Sequence, residues 1–273
     1  MSSTVRQPVV AGMFYYSDAA KLKKQLSDFF RNVKTANQCT GVVSPHAGYE
    51  YSGQTAAWAI ASLKQAKTFI VMGPNHNTIG EQFSCLSSGS WETPLGKISV
   101  NTDIAKELMK QCTFIAEDTA AHAMEHSVEV QLPLMQHRFG NGFDFVPVSI
   151  MNVDYLESFL QQCEKLGRAV AMMVRNRAVG IIASSDFSHY LPKDVADEKD
   201  GKVTDRILKL DMRDFFRTLE ETGASVCGYG PIAVLMSAAN TLGLRGKLIQ
   251  KSTSGDTTGD YNSVVTYYAI GFK

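Results

Sequence analysis

Short apolar runs alternate with segments whose apolar residues recur at helical spacing, from one end of the chain to the other. Residues 18–33 place Leu22, Leu26 and Phe29 on one helical face behind Asp18, and predict a first helix with that Asp at its N-cap. A β-branched run at 40–44 reads as a buried strand; an Ala-rich helix at 55–63, capped by Ser52, and a second strand at 68–72 follow it. Together these make one βαβ unit. The pattern then predicts a hairpin at 91–100 around Pro-Leu-Gly, placed to overhang a site at the strand ends. Helices at 103–112 and, despite Pro133, at 127–137 come next. A strand at 143–150, a long helix at 154–175 and a strand at 179–184 follow, then helices at about 200–210, at 212–221 and at 232–242, the last opened by Pro231. Two closing strands, 247–253 and 263–272, flank a turn rich in Gly and Asp. Strand and helix alternate without repeat or linker, which predicts one domain over 1–273, α/β in class: a three-layer α/β/α sandwich with a mixed sheet.

Two of the predicted strands end alike, Val-Val-Ser-Pro-His46 and Ile-Val-Met-Gly-Pro-Asn-His76. An apolar run stopped by Pro and Gly puts each imidazole at a strand's carboxyl end, where open α/β sheets carry their sites. Two neutral imidazoles from neighbouring strands can share one metal ion. A third strand ends at Ser-Asp186-Phe-Ser-His189, which either adds a carboxylate and an imidazole to the same cleft or uses Asp186 to cap a helix at Phe187. Glu125 and His126 stand at the start of a predicted helix. His122 and His126 are four apart, but without the order H-E-x-x-H they do not form a zinc-protease motif. Cys227 precedes Gly-Tyr-Gly-Pro at a helix start, where unpaired backbone N–H groups lower a thiol's pKa and favour a thiolate; the alternative is a small residue chosen for packing. Tyr49, Tyr51, Trp91 and Tyr229 are the aromatic candidates for lining a cleft. Residues 254–260 are acidic but lack EF-hand spacing, so a turn is the expectation.

Composition removes several classes of partner. With 27 basic and 27 acidic side chains the formal charge is zero, and no basic run interleaves with aromatics, which excludes a nucleic-acid surface. No segment approaches the ~18 consecutive apolar residues of a membrane span, and the first residues hold no apolar core of a signal peptide, so the expectation is a cytoplasmic protein away from membranes. Cys39, Cys85, Cys112, Cys163 and Cys227 are odd in number and free of C-x-x-C spacing, which predicts reduced thiols.

Several ordered motifs are similar to those of one family. Ser-Pro-His46-Ala-Gly-Tyr-x-Tyr-Ser-Gly, Gly-Pro-Asn-His76, Glu125-His126-Ser-x-Glu-x-Gln-Leu-Pro, Ser-Ser-Asp186-Phe-Ser-His189 and Cys227-Gly-x-x-Pro-Ile resemble the Memo family (mediator of cell motility). So do the opening Ala-Gly-x-Phe-Tyr and the closing Thr-Ser-Gly-Asp-x-Thr-Gly-Asp-Tyr-x-Ser-Val-Val, from about residue 6 onward. The chain looks nearest to the prokaryotic and archaeal members, called system protein B, which stand beside Ammecr-type and radical-SAM partners. The resemblance implies the fold of class III extradiol dioxygenases, which hold Fe(II) with two histidines and a carboxylate. On that basis His46 and His76 match the histidine ligands, Cys227 looks like the carboxylate position, and His189 looks like the acid/base near the metal. A thiolate is softer than a carboxylate and moves preference toward copper or zinc. The implied cofactor is therefore Fe(II) or Cu, with Zn admissible. Asp186, His189 and Glu125 would tune ligands or shuttle protons, while Tyr49, Tyr51, Trp91, Tyr229 and His126 would contact a small molecule or peptide. The same family implies a rival reading, a non-catalytic adaptor that uses the cleft for a peptide or modified side chain. A third is a metal-independent hydrolase using Cys227 with His189.

Overall fold

The four most apolar runs lie side by side at the centre of a nine-stranded mixed sheet, in a computed structural model that describes residues 4–31, 33–34 and 38–273. Gly41–Ser44, Val179–Ser184, Thr68–Pro74 and Asp144–Ile150 stand in that order, all parallel. Nearly every residue in them is buried, as parallel strands covered on both faces require. Antiparallel strands flank the four, Val264–Phe272 against Gly41–Ser44 and Phe83–Cys85 against Asp144–Ile150. Gly246–Thr253 and His189–Leu191 both pair with Val264–Phe272, and Ala116–Glu117 closes the other edge. The hairpin Ser90–Thr93 and Gly96–Ser99 forms, but it joins Val5–Arg6 in a separate three-stranded sheet.

Helices cover both faces, giving the three layers of an α/β sandwich. Glu157–Asn176, Tyr229–Leu242, Met212–Thr222 and Thr102–Gln111 bury one apolar cluster; Ala19–Phe30, Tyr49–Ser62 and Gln131–Phe139 bury the other. Asp18 caps Ala19–Phe30 by accepting the Lys21 N–H at 2.8 Å, as expected. The helix after the first strand starts earlier than predicted, at Tyr49. Gly48 is its N-cap, and Ser52 donates its hydroxyl to Ala47 O instead of capping. The helix expected from 127 starts at Gln131, which leaves Pro133 in the first turn, where its missing N–H costs nothing. The one expected near 200 starts at Lys193, behind Pro192. Asp186 caps no helix, since the chain continues into His189–Leu191. All five cysteines are unpaired. No helix among the described residues is long and apolar enough to cross a membrane.

Candidate metal centre

Four parallel strands running one way bring their carboxyl ends to one side of the sheet. His46 and His76 each stand two residues beyond such an end, and Asp186 two beyond a third. Between them folds the loop carrying Glu125 and His126. One ring nitrogen from each of His46, His76 and His126 lies within 4.8 Å of the other two. The His76 and His126 rings stack at 4.7 Å, and the His46 ring meets both edge-on at 5.2 and 5.5 Å.

Hydrogen bonding fixes the tautomers. Ser184 Oγ donates to Ser127 O at 2.7 Å and accepts from Gln131 Nε2 at 2.8 Å, so its single proton is spent. His46 Nδ1, 2.9 Å from the same oxygen, must therefore be the donor, which leaves Nε2 unprotonated and facing the Cys227 sulfur. Gln131 in turn is held by Pro45 O and the Ser44 hydroxyl. Glu125 does the equivalent for His76 and lies close to His126. It accepts from His76 Nδ1 at 3.0 Å and stands 3.4 Å from His126 Nδ1, and an ionised carboxylate only accepts. It also receives the backbone N–H groups of His76 and Ser127 at 2.7 and 2.8 Å. Burial alone would raise its pKa. The His76 hydrogen bond, the charges of His76 and His126 and the Ser127 N–H outweigh burial and bring it down to about 2. Burial pushes the pKa of His46 well below its usual value, with further lowering from His76, His126 and His189, and burial lowers that of His126 too. Neutral imidazoles with free Nε2 atoms are the form that binds metal.

Cys227 Sγ lies 3.2 Å from His46 Nε2 and accepts the Asp186 N–H at 3.2 Å. Two donors on one ion with bonds of ~2.0–2.3 Å lie roughly 3–4 Å apart, so this spacing fits the Cys227–His46 pair, whereas the group that converges mutually is His46, His76 and His126, with His126 in the place expected for Cys227. The expected low thiol pKa is reversed. Burial first, then the Asp186 charge, push it far up, because the helix after it starts only at Tyr229 and its dipole is outweighed. A Cβ at Gly228 would sit 2.3 Å from Ser184 O, and one at Gly73 2.2 Å from Ser127 Oγ. Glycine at these two places is what lets the loops close on the strand ends. The Asp186 carboxylate accepts the His46 N–H at 2.9 Å and approaches His46 Nε2 to 4.0 Å; burial raises its pKa to about 6. His189 is half-buried within electrostatic reach of His46 and Asp186, its Nδ1–H pinned on Ser225 O at 2.9 Å.

Not all the aromatic candidates come to this cluster. Tyr49 is buried in the core with its hydroxyl on Val130 O, because the helix starts at that residue and turns its ring inward. Trp91 lies against Phe145 and His122, under the Arg6 guanidinium, because its hairpin pairs with Val5–Arg6 rather than overhanging the strand ends. Tyr229 bonds Asp154 O and packs on Tyr155, Phe159 and Phe216, whereas Tyr51 remains exposed. Sequence reasoning passed over Ser184, Gln131, Phe14, Arg6 and Glu129. Arg6 donates to His122 O, Glu125 O and Glu129 at 2.7 Å each, and the Phe14 ring meets His126 at 4.9 Å. Four of these five, Phe14, Glu129, Gln131 and Ser184, already stood in the motifs quoted above, and only Arg6 did not.

A mixed α/β sheet carries, at its parallel strand ends, three convergent imidazoles whose spacing could hold a metal ion. The family described as Memo-like protein matches residues 6–271, and the chain belongs to it. A MEMO1 family protein of Thermoplasma volcanium is 41% identical over 272 residues, covering 97% of both chains. One of Methanopyrus kandleri is 39% identical over 284 residues, covering 98% of this chain and 99% of the relative. Among solved structures, an uncharacterized protein from Escherichia coli K12 shares the fold with a TM-score of 0.59 at 11% identity, over 85% of this chain and 99% of its own.

Proposed function

We propose that the cluster holds one divalent first-row metal ion, iron(II) or copper with zinc as competitor, and supports dioxygenase-like redox chemistry on a small molecule. The carrying observation is the preset orientation of the ligands: three converging imidazoles, with His46 Nδ1 and His76 Nδ1 each held on an oxygen of the chain and His126 Nδ1 facing Glu125, so that the Nε2 edges are the ones free to turn to an ion. His46, His76 and His126 would hold the ion, and the Cys227 sulfur beside His46 adds a soft donor. The ion, when bound, supplies a Lewis-acidic and redox-capable centre. Around it the protein's groups handle protons. Asp186, beside His46, and His189, fixed through Nδ1 within electrostatic reach of both, are the groups that would pass protons. Anaerobic reconstitution followed by elemental analysis tests the reading: about one equivalent in the wild type and under about a tenth in His46→Ala are expected. A wild type that retains under about a tenth after reconstitution overturns it.

A second reading, a binding module for a peptide or modified side chain, rests on the exposed apolar residues Met13, Ile79, Met124 and Tyr190. Each lies within three residues of the cluster, of His189 or of Phe14, which touches it. Retention of partners by a His46→Ala/His76→Ala double variant in a pull-down is the result this reading requires. The Ammecr-type and radical-SAM proteins are the partners to probe first.

A further inference from the structure

A cavity of about 340 Å³ lies away from the histidine cluster, among the Val5–Arg6 strand, the Ser90–Thr93 strand and the segment 117–123. None of His46, His76, His126, Asp186, His189 or Cys227 lines it. Its walls are mainly apolar, from Val9, Leu86, Trp91 and Ala123, with Arg6 and His122 beside them. Two wall residues carry buried polar atoms that the chain leaves unsatisfied. Trp91 Nε1 and both ring nitrogens of His122 have no hydrogen-bond partner, although each residue is only 1% exposed. The Ser84 backbone comes near the His122 ring without forming a bond of proper geometry. Leaving such groups unpaired costs folding free energy, which a ligand supplying partners returns as affinity.

The charges around the cavity select the ligand class. Burial, then the neighbouring Arg6 charge, bring the His122 pKa down to about 4, so at neutral pH the ring offers one donor and one acceptor. Trp91 adds a donor. The Arg6 charge is already met by Glu129 at 2.7 Å, and the same guanidinium holds the carbonyls of His122 and Glu125. It has no uncompensated charge for an anion, and the exposed Glu117 carboxylate repels one. We propose that this cavity is a second ligand site, for a small uncharged ring compound whose edge both accepts and donates hydrogen bonds, as a carboxamide does.

Benzamide is the probe, with benzoate and toluene as controls of the same shape, followed by saturation-transfer and chemical-shift titration of the full chain. Benzamide is expected to saturate with a dissociation constant of about 1 mM, and benzoate and toluene to bind at least about tenfold more weakly. Trp91→Phe, which keeps a ring and removes the donor, is expected to weaken benzamide about tenfold. Ala123→Trp, at an exposed wall position that leaves the core untouched, is expected to abolish binding. His46→Ala is expected to bind benzamide as the wild type does. The proposal is overturned if benzamide fails to saturate, if toluene or benzoate binds equally well, if Ala123→Trp binds unchanged, or if His46→Ala loses binding.

Discussion

Replacing Glu125 by Gln removes one charge from the centre of the cluster while keeping its shape. The carboxylate is 1% exposed and accepts from the His76 backbone, His76 Nδ1 and the Ser127 backbone at 2.7, 3.0 and 2.8 Å. Its folded pKa of about 2 lies below the unfolded value of 4.5, so the group stabilises the fold above pH 4.5 and that contribution is lost as the pH falls toward 2. At pH 7 the hydrogen bonds that His76 Nδ1, the His76 N–H and the Ser127 N–H donate to the buried charge carry the effect, together roughly 3 kcal/mol. The amide also turns one NH2 toward a donor, which adds to the loss at neutral pH. Urea unfolding of both proteins at a series of pH values measures this. Glu125→Gln should be about 3 kcal/mol less stable than the wild type at pH 7, with the gap narrowing steadily between pH 4.5 and 2. A gap below about 0.5 kcal/mol at pH 7, or one that stays constant down to pH 2, refutes the reasoning.

Arg6→Met leaves the fully buried Glu129 carboxylate without its cation, and should cost about 3–5 kcal/mol in urea unfolding; a loss under about 1 kcal/mol contradicts this. Gly228→Ala forces a methyl group to within 2.3 Å of Ser184 O, and should cost about 1–3 kcal/mol and displace Cys227, read as a changed rate of thiol labelling; an unchanged melting curve contradicts it. Ser184→Ala frees the His46 ring from the acceptor that sets its tautomer, and should weaken metal binding about tenfold in a competition titration while the fold persists; equal affinity would show that the hydroxyl does not orient the ligand.

The central strands were legible because strands buried on both faces read as unbroken apolar runs, and Pro or Gly marks where each stops. The helix starts at Tyr49 and Lys193 were not, because neither has a side-chain cap and the first turns of the second carry few apolar residues. Between Ser127 and Gln131 the chain makes turns, with Val130 N–H on His126 O and Gln131 N–H on Val128 O, although its composition reads as helix. His46 and His76 could be placed from local pattern alone. The place of His126 beside them could not, since it depends on a Glu125 contact with His76 across 49 positions of sequence. The thiol of Cys227 was misjudged for a different reason: a helix-end dipole acts over a single turn, and burial beside Asp186 outweighs it.

The most direct measurement is anomalous diffraction from crystals loaded with iron(II) or copper, recorded on either side of the metal's absorption edge. The account predicts one strong peak bonded to nitrogens of His46, His76 and His126 at distances of ~2.0–2.2 Å, with the Cys227 sulfur adjoining. Loaded crystals with no peak at these three rings, or with the ion bound elsewhere on the chain, would contradict it.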